Sequence, residues 1–582
     1  MPPTTAPAPA PAQTSQSADG YLSCPQFYSE LIDAEGDALV TLLGRVDQDC
    51  ILDLEWLSDQ PLVQIAASRE SNVISVANAI TGQINDQDQN TSLRDARNLF
   101  EYLVQAKDIH NWCLAARSCG RAEFDGADSY PTGRGSPVYS AVKAAVDSFV
   151  EIPGADADIG DRVSRLDAVF YVVANYGLTG EYLPIVSDWL RSWDDAAAAR
   201  DSSQRRMHIM LDFVYDSHRL EGFGAYFGED QGLLQAFADF TLNPRWLGTK
   251  SQWDMERMVL EIGRYTKYKD TSNYERVVPI IRSLLEVYEG SPEIYLPLVA
   301  EIFYNDWENC DRYGLCEWHG GDGFNANFRD RVFPHRLKCP EAACGDQVVL
   351  HAQGLDGDQL DLACRRLFAA GQRFHEMCGT DCRPVSGDVN DRLEIYVFED
   401  GKSCEYLESG AFGAGADSCS GIYWEGDPQD PDNQATIVVT EYTLDEFPPD
   451  PELSIWNFEH EYAHYLDGRY NLYGGYSDDP AIHWWTEGFA EYFAAETSDF
   501  IHPPAYESPH TLTNTLLFSG SIPTEYDDRH LAFRYLIENR IEFVGELLQV
   551  LRLGEIEEFK SIVRRDAPHW ESEWFVWQRS RR

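Results

Sequence analysis

Two histidines four residues apart, with a glutamate directly after the first, mark the stretch HEYAH at 460–464. On a helix, positions i and i+4 share one face a single turn apart, so two imidazoles there can hold one metal ion between them. Glu461 stands beside His460 and His464, placed to take a proton from a water that such an ion activates. The pattern is that of a zinc site, and a catalytic zinc takes three protein ligands and leaves a fourth position open. A partner lies downstream in WWTEGFAEYFAAE at 484–496, where Glu487 and Glu491 are again four apart on one helical face. Glu487 is the better ligand. Glu491 is the better outer carboxylate, one that receives a ligand histidine's other N–H and fixes its tautomer. The plain alternatives are two polar residues at accidental spacing and a solvated acidic face. Histidine is scarce, 14 in the whole chain, and accident would leave the second helix without a reason. A metzincin-type site would need a third histidine at position 470, where Tyr470 stands.

Two helices must carry these residues. Asp450, Pro451 and Glu452 offer an N-cap, a proline at the first helical position and an acid in the first turn. The first helix is therefore expected from 450 through LSIWNFEHEYAHYL, with Gly468 as its stop. Upstream, VVLHAQ, RLEIYVFED and ATIVVTEYT run apolar over strand length, with a helix at LACRRLFAAGQRFHEMC between the first two. WESEWFVWQRS reads as a closing helix.

Before this α+β half, the pattern from 24 to 318 is helical nearly throughout, as in SLRDARNLFEYLVQAKDIHNWC, SAVKAAVDSFVEI and VVPIIRSLLEVYEG. Helix pairs of this kind suggest an array of hairpins, although no fixed-period repeat is evident. Residues 1–20 read as a disordered linker, 24–318 as an all-α domain, 319–339 as a Gly/Asn-rich linker and 340–582 as the α+β domain.

With 582 residues the chain is too long for one core. A net charge of −51, from 97 acids against 46 bases, repels phosphate backbones and argues against nucleic-acid partners. No run of eighteen apolar residues occurs, so no membrane span is expected. Thirteen cysteines point to an oxidising compartment and a secreted protein. The pairings expected from proximity are Cys113/Cys119, Cys310/Cys316, Cys339/Cys344, Cys378/Cys382 and Cys404/Cys419, with Cys24/Cys50 as a sixth and Cys364 left as a buried thiol. A structural zinc site from Cys339, Cys344, Cys378 and Cys382 lacks the usual two-residue inner spacing. The opening MPPTTAPAPAPAQTSQSADG has neither a basic nor an apolar region and reads as a linker remaining after a signal was removed.

HEYAHYLDGRYNLYGGY followed by WWTEGFAEYFA resembles the microbial collagenases, the bacterial M9 metallopeptidases among the gluzincins. The pattern HEYxHYLxGR…WxxEGxAEY/F is matched over about 460–493. The resemblance implies a thermolysin-like zinc peptidase domain behind a helical activator domain. RLDAVFYVVANYG and YNDWENCDRYGLCEW are similar to that activator and its exit. It implies His460, His464 and Glu487 as zinc ligands and Glu461 as general acid/base. SGIYWEG at 420–426 resembles the family's edge strand over the cleft, so Ser420, Gly421, Ile422 and Tyr423 are expected to bind extended substrate, Ser420 replacing a glycine. Glu425 falls where the family has a calcium ligand, and the acidic loop EGDPQDPDNQ could help hold that ion. Where the family shows YxxGYLAxR, this chain has YDDRHLAFRY. Arg529 and His530 thus replace Gly and Tyr, and His530 or Tyr526 is left to donate to the oxyanion.

The implied activity is that of a monomeric, secreted zinc endopeptidase acting on collagen or gelatin. Two rivals stand beside it. A non-catalytic protein gripping a fibrous partner would close its zinc with a fourth ligand, which is not evident, and would leave Glu461 idle. A gluzincin aminopeptidase would carry a GxMEN-type strand, which is missing.

Overall fold

The structure, a computed structural model, describes residues 22–580 apart from 47, 53, 55–65, 86–97, 108, 110–134, 151–168, 174, 200, 219–222, 230–231, 320–323, 341, 414–418, 442–452, 477–481, 498–510 and 519–525. It divides into two compact units, Met1–Tyr295 and Leu296–Arg582.

In the first unit the described elements are helices. Val73, Val76, Ala77 and Ile80 fall at three- and four-residue spacing on Glu70–Asn85 and are fully buried. That helix packs on Pro137–Val150, which buries Val138, Val142, Ala145, Val146 and Phe149. Leu233–Thr241 packs against both Thr179–Arg191 and Gln252–Arg264. The Cys24–Cys50 disulfide closes the first turns of the unit.

The second unit is mostly helical around a small mixed sheet. Its strands are β1 (His335–Lys338), β2 (Gln347–Ala352), β3 (Arg392–Phe398), β4 (Ile422–Trp424) and β5 (Ala435–Thr440), in the order β1-β2-β3-β5-β4. β2, β3 and β5 are parallel, and the two outer strands run antiparallel to their neighbours. The parallel strands read as nearly continuous apolar runs, interrupted by His351 and Glu394, because both faces of the sheet are covered. Val348, Leu350, Leu393, Ile395, Val397, Ile437 and Val439 enter the core together with the helices that follow.

Helix α1 (Phe324–Val332) and β1 occupy much of 319–339, the stretch expected as a linker. It is instead part of the second unit. Asn325 Nδ2 donates to Gly410 O at 2.9 Å and Arg329 Nη1 to Ala411 O at 2.8 Å.

Three helices frame the site: α2 (Phe458–Asn471), α3 (His483–Thr497) and α4 (Tyr526–Asn539). The first begins later than expected. Residues 450–452 lie outside the described residues, and Leu453–Trp456 is not helical. Ile455 forms an antiparallel bridge with Glu441, and Trp456 N–H donates to Thr440 O at 2.9 Å, so this segment pairs alongside the end of β5 before the chain turns. Asn457, with φ 52°, takes the N-cap position, and its side chain donates to Ser420 O at 2.9 Å. Gly468 does not stop the helix either, which continues to Asn471. Its missing side chain makes room for Glu425, whose Oε1 a Cβ there would strike.

The cysteine pairing also differs from expectation. Cys310–Cys316 and Cys404–Cys419 form as local bridges. Cys339 pairs with Cys364 and Cys344 with Cys382, and the buried free thiol is Cys378. These bridges join segments adjacent in space, and spacing alone does not encode that adjacency. Cys113 and Cys119 lie outside the described residues.

Candidate active site

A group of side chains able to hold a metal ion comes from one face of α2 and one of α3. His460 Nε2 and His464 Nε2 are 3.0 Å apart, and Glu487 Oε2 lies 3.5 Å from the first and 3.7 Å from the second. A triangle with these sides has a centre roughly 2 Å from every corner, the length of a zinc bond to imidazole nitrogen or carboxylate oxygen. The three donors are one of the groups among the described residues able to hold a metal ion. The other two each contain both cysteines of a disulfide, which leaves no thiolate to bind. Both histidines are buried, and Glu487 is partly buried.

The charges are arranged for exchange. Burial pulls the His460 imidazole down, but Glu487 and Glu491 outweigh it and raise it to about 10. His464 is pushed down to about 3 by burial and by the charge on His460. Burial raises the Glu487 carboxyl, yet both histidines and the nearby Arg529 hold it at about 2. The neighbouring carboxylates thus favour the doubly protonated imidazolium of His460, and a cation bound between these side chains would take over that balancing role and displace the extra proton.

Glu461 is buried at 4 % exposure. Burial, with Glu487 and Glu491 adding and His460 opposing, lifts its carboxyl to about 7. A carboxylate there is poised to accept and return a proton near neutral pH. It faces β4. Gly421, with φ 103°, precedes that strand, and a Cβ on it would lie 2.7 Å from Glu461 Oε1. Ile422 and Tyr423 continue along β4, which pairs with β5 on one side and has no strand on the other among the described residues. Glu491 Oε1 is 3.3 Å from His460 Nδ1, where an outer carboxylate would stand.

The described residues hold the two helices to one another through contacts that spacing does not reveal. Asp467, fully buried, accepts from Asn471 Nδ2 at 2.7 Å and from Trp485 Nε1 at 3.2 Å, tying α2 to α3 two residues before Glu487. Arg366 grips Glu459, the residue before His460, at 2.6–2.7 Å. Arg469 lies between Asp346, 3.2 Å from its Nε, and Asp388. A buried charge without such partners would cost several kcal/mol. The arginine of the HEYAHYLDGR stretch was the visible hint of that ion pair.

Other expected residues are placed as follows. Glu425 Oε2 accepts from Tyr476 N–H at 2.7 Å, while Oε1 is buried and has no hydrogen-bond partner. Burial, with Asp388 and Asp467 nearby, raises this carboxyl to about 7. In the acidic loop, Asp427 and Asp430 cap their own turns, accepting from Gln429 and Asp432 N–H. His530 is 7 % exposed, its ring 6.3 Å from that of Tyr492. Tyr526 is the first residue of α4. The neighbouring Gly488 lets α4 approach α3 closely, since a Cβ would meet Arg529 O at 2.7 Å.

The collagenase profile (peptidase M9) matches residues 262–577. A microbial collagenase of Vibrio alginolyticus is 27% identical over 457 residues, 76% of this chain and 53% of that protein. A microbial collagenase of Vibrio parahaemolyticus is 29% identical over 481 residues, 77% of this chain and 55% of its own. Collagenase ColA of Bacillus cereus is 24% identical over 429 residues, 69% and 41% respectively. The chain spans about half the length of the curated relatives it matches. With the profile covering more than half its residues, including both site helices, the chain belongs to the M9 collagenase family of peptidases.

Proposed function

We propose that the chain is a secreted zinc endopeptidase that hydrolyses peptide bonds in collagen- or gelatin-type Gly-X-Y substrates. The observation that carries this reading is the triangle of His460, His464 and Glu487 with the raised carboxyl of Glu461 beside it, beneath an open strand edge. Zinc, when bound by those three side chains, would acidify a water and polarise the scissile carbonyl. Glu461 takes the proton of the attacking water and delivers it to the leaving amine. The edge of β4 that carries no strand among the described residues, with Ser420 and Gly421 leading into Ile422 and Tyr423, pairs with the extended substrate backbone. His530 and Tyr526 on α4 are the proposed donors to the developing oxyanion. Glu491 orients His460.

Glu425 is proposed to hold calcium, a reading supported by its buried, unpartnered Oε1. The helical first unit is proposed as an activator of the second. Secretion is supported by the disulfides and by the secreted-enzyme charge balance. Among the described residues no helix is long and apolar enough to cross a membrane.

The test is to incubate the chain with native collagen and with gelatin, side by side, with and without a zinc chelator. Chelator-sensitive cleavage of either is expected, and Glu461→Ala is expected to abolish it while zinc stays bound. Full activity of that variant would overturn the mechanism.

A further inference from the structure

A ligand histidine must hold its ring at one angle and keep its metal-facing nitrogen free of a proton. The group that meets the other ring nitrogen decides both. The two histidines here are supported by different chemistry. His460 Nδ1 stands near the Glu491 carboxylate, whereas His464 Nδ1 meets the hydroxyl of Tyr476. We propose that Tyr476 is the positioning residue of His464. Its Oη accepts the Nδ1 hydrogen, so that Nε2 faces His460 and Glu487 as a bare nitrogen. This assignment rests on the metal centre proposed above and adds a residue to it.

The surrounding chain is built to put Tyr476 there. Helix α2 ends at Asn471, and Leu472 N–H closes back onto Asp467 O at 3.0 Å. Gly474 and Gly475, both with φ 86°, then turn the chain back toward the helix face that carries His464. Residues with a side chain rarely adopt that φ. At Gly475 a Cβ would also strike Glu425 Oε2. That oxygen accepts the Tyr476 N–H at 2.7 Å, anchoring the returning chain to the end of β4. The Tyr476 ring stands edge-on to His464, centroids 5.3 Å apart, and to Tyr423 of β4 at 5.9 Å. The phenol is therefore fixed by a main-chain bond, two ring contacts and a glycine turn, and its one polar atom ends on the ligand. A carboxylate would add charge to the imidazole as well as orientation; a phenol supplies chiefly orientation.

Tyr476→Phe removes Oη and keeps the ring. Zinc affinity of the full chain, measured by competition with a chromophoric chelator at fixed pH, is expected to fall about 10- to 100-fold. The visible absorption of the cobalt-loaded protein is expected to change with it. Tyr473→Phe, on an exposed side chain three residues earlier, is expected to bind zinc like the parent. His464→Ala is expected to lose more affinity than either. Parental affinity and spectrum in Tyr476→Phe, alongside loss in His464→Ala, would overturn the Tyr476 assignment alone. Parental affinity in His464→Ala would overturn the metal centre and this assignment with it. An equal loss in Tyr473→Phe would also overturn it, by showing that any change in this loop has the same effect.

Discussion

The α-carbon of Gly421 stands over the carboxylate of Glu461, so close that a Cβ would fall 2.7 Å from Oε1 and 3.1 Å from the Asn457 Cβ. The strand edge and the proposed proton carrier thus share one contact, and only glycine fits it. Gly421→Ala would also place a side chain at φ 103°, a conformation costing about 1–3 kcal/mol. Relief requires β4 to lift or Glu461 to rotate away. Hydrolysis of a Gly-X-Y peptide should fall at least about tenfold, in line with 1.4 kcal/mol or more of lost alignment. Zinc content should be unchanged, because the three ligands lie on α2 and α3. Parental kcat/KM in this variant would show that the edge does not sit over the chemistry.

The two acids of α3 should separate by consequence. Glu487 Oε2 faces the Nε2 atoms of both histidines, and Glu491 Oε1 lies beside His460 Nδ1. Glu491→Gln keeps an acceptor in place and should weaken zinc about 10- to 100-fold. Glu487→Gln removes a ligand charge and should weaken it further. Chelator competition on both variants measures the order, and the reverse order would exchange the two roles.

The proposed zinc motif was legible in the sequence because it is local. His460, His464, Glu487 and Glu491 are set by helical periodicity, which survives any tertiary arrangement. The parallel strands were legible for a similar reason, since burial on both faces writes an apolar run. Features set by distant partners were not. The capping signal at 450–452 does not start the helix at once, since Ile455 and Trp456 bond to the chain at the end of β5. Gly468 looks like a stop but is a clearance for Glu425, forty-three positions earlier. Tyr476, Asp467 and the Asp346–Arg469–Asp388 group act across elements. No spacing rule connects them. Cys364 and Cys378 exchanged roles because proximity in the chain did not predict proximity in the fold.

Glu425 offers a direct reading of the proposed calcium. One of its oxygens is satisfied by Tyr476 N–H, and the other is buried without a partner, with the carboxyl raised to about 7. A divalent ion would favour the charged form and stabilise the fold by mass action. Added calcium should therefore raise the Tm of the parent and leave that of Glu425→Gln nearly unmoved. Differential scanning fluorimetry across calcium concentrations measures it. An equal rise in both proteins would place the ion elsewhere.

Glu441 gives a pH dependence well separated in sequence from the metal centre. Burial, then the charges of Glu399 and Asp400, raise its half-buried carboxyl to about 7, against about 4.3 for an unfolded glutamate. The folded chain consequently holds this proton more tightly than the unfolded chain. That contribution to stability is complete below about pH 4.3 and is lost progressively as pH rises through 7. Glu441→Gln stays neutral throughout and keeps a side chain of the same shape in the space beside Gly354. After discounting for partial exposure the gain at pH 8 should be about 1 kcal/mol, or about 2–4 °C in Tm. Subtracting the parent's Tm from the variant's at each pH isolates Glu441 from the other raised carboxyls, among them Asp254, Asp346, Asp388, Glu425, Glu461 and Asp467. The difference should grow between pH 5 and pH 8. Parallel curves would mean that Glu441 is already ionised in the folded protein at pH 5 and that its burial is offset by other contacts.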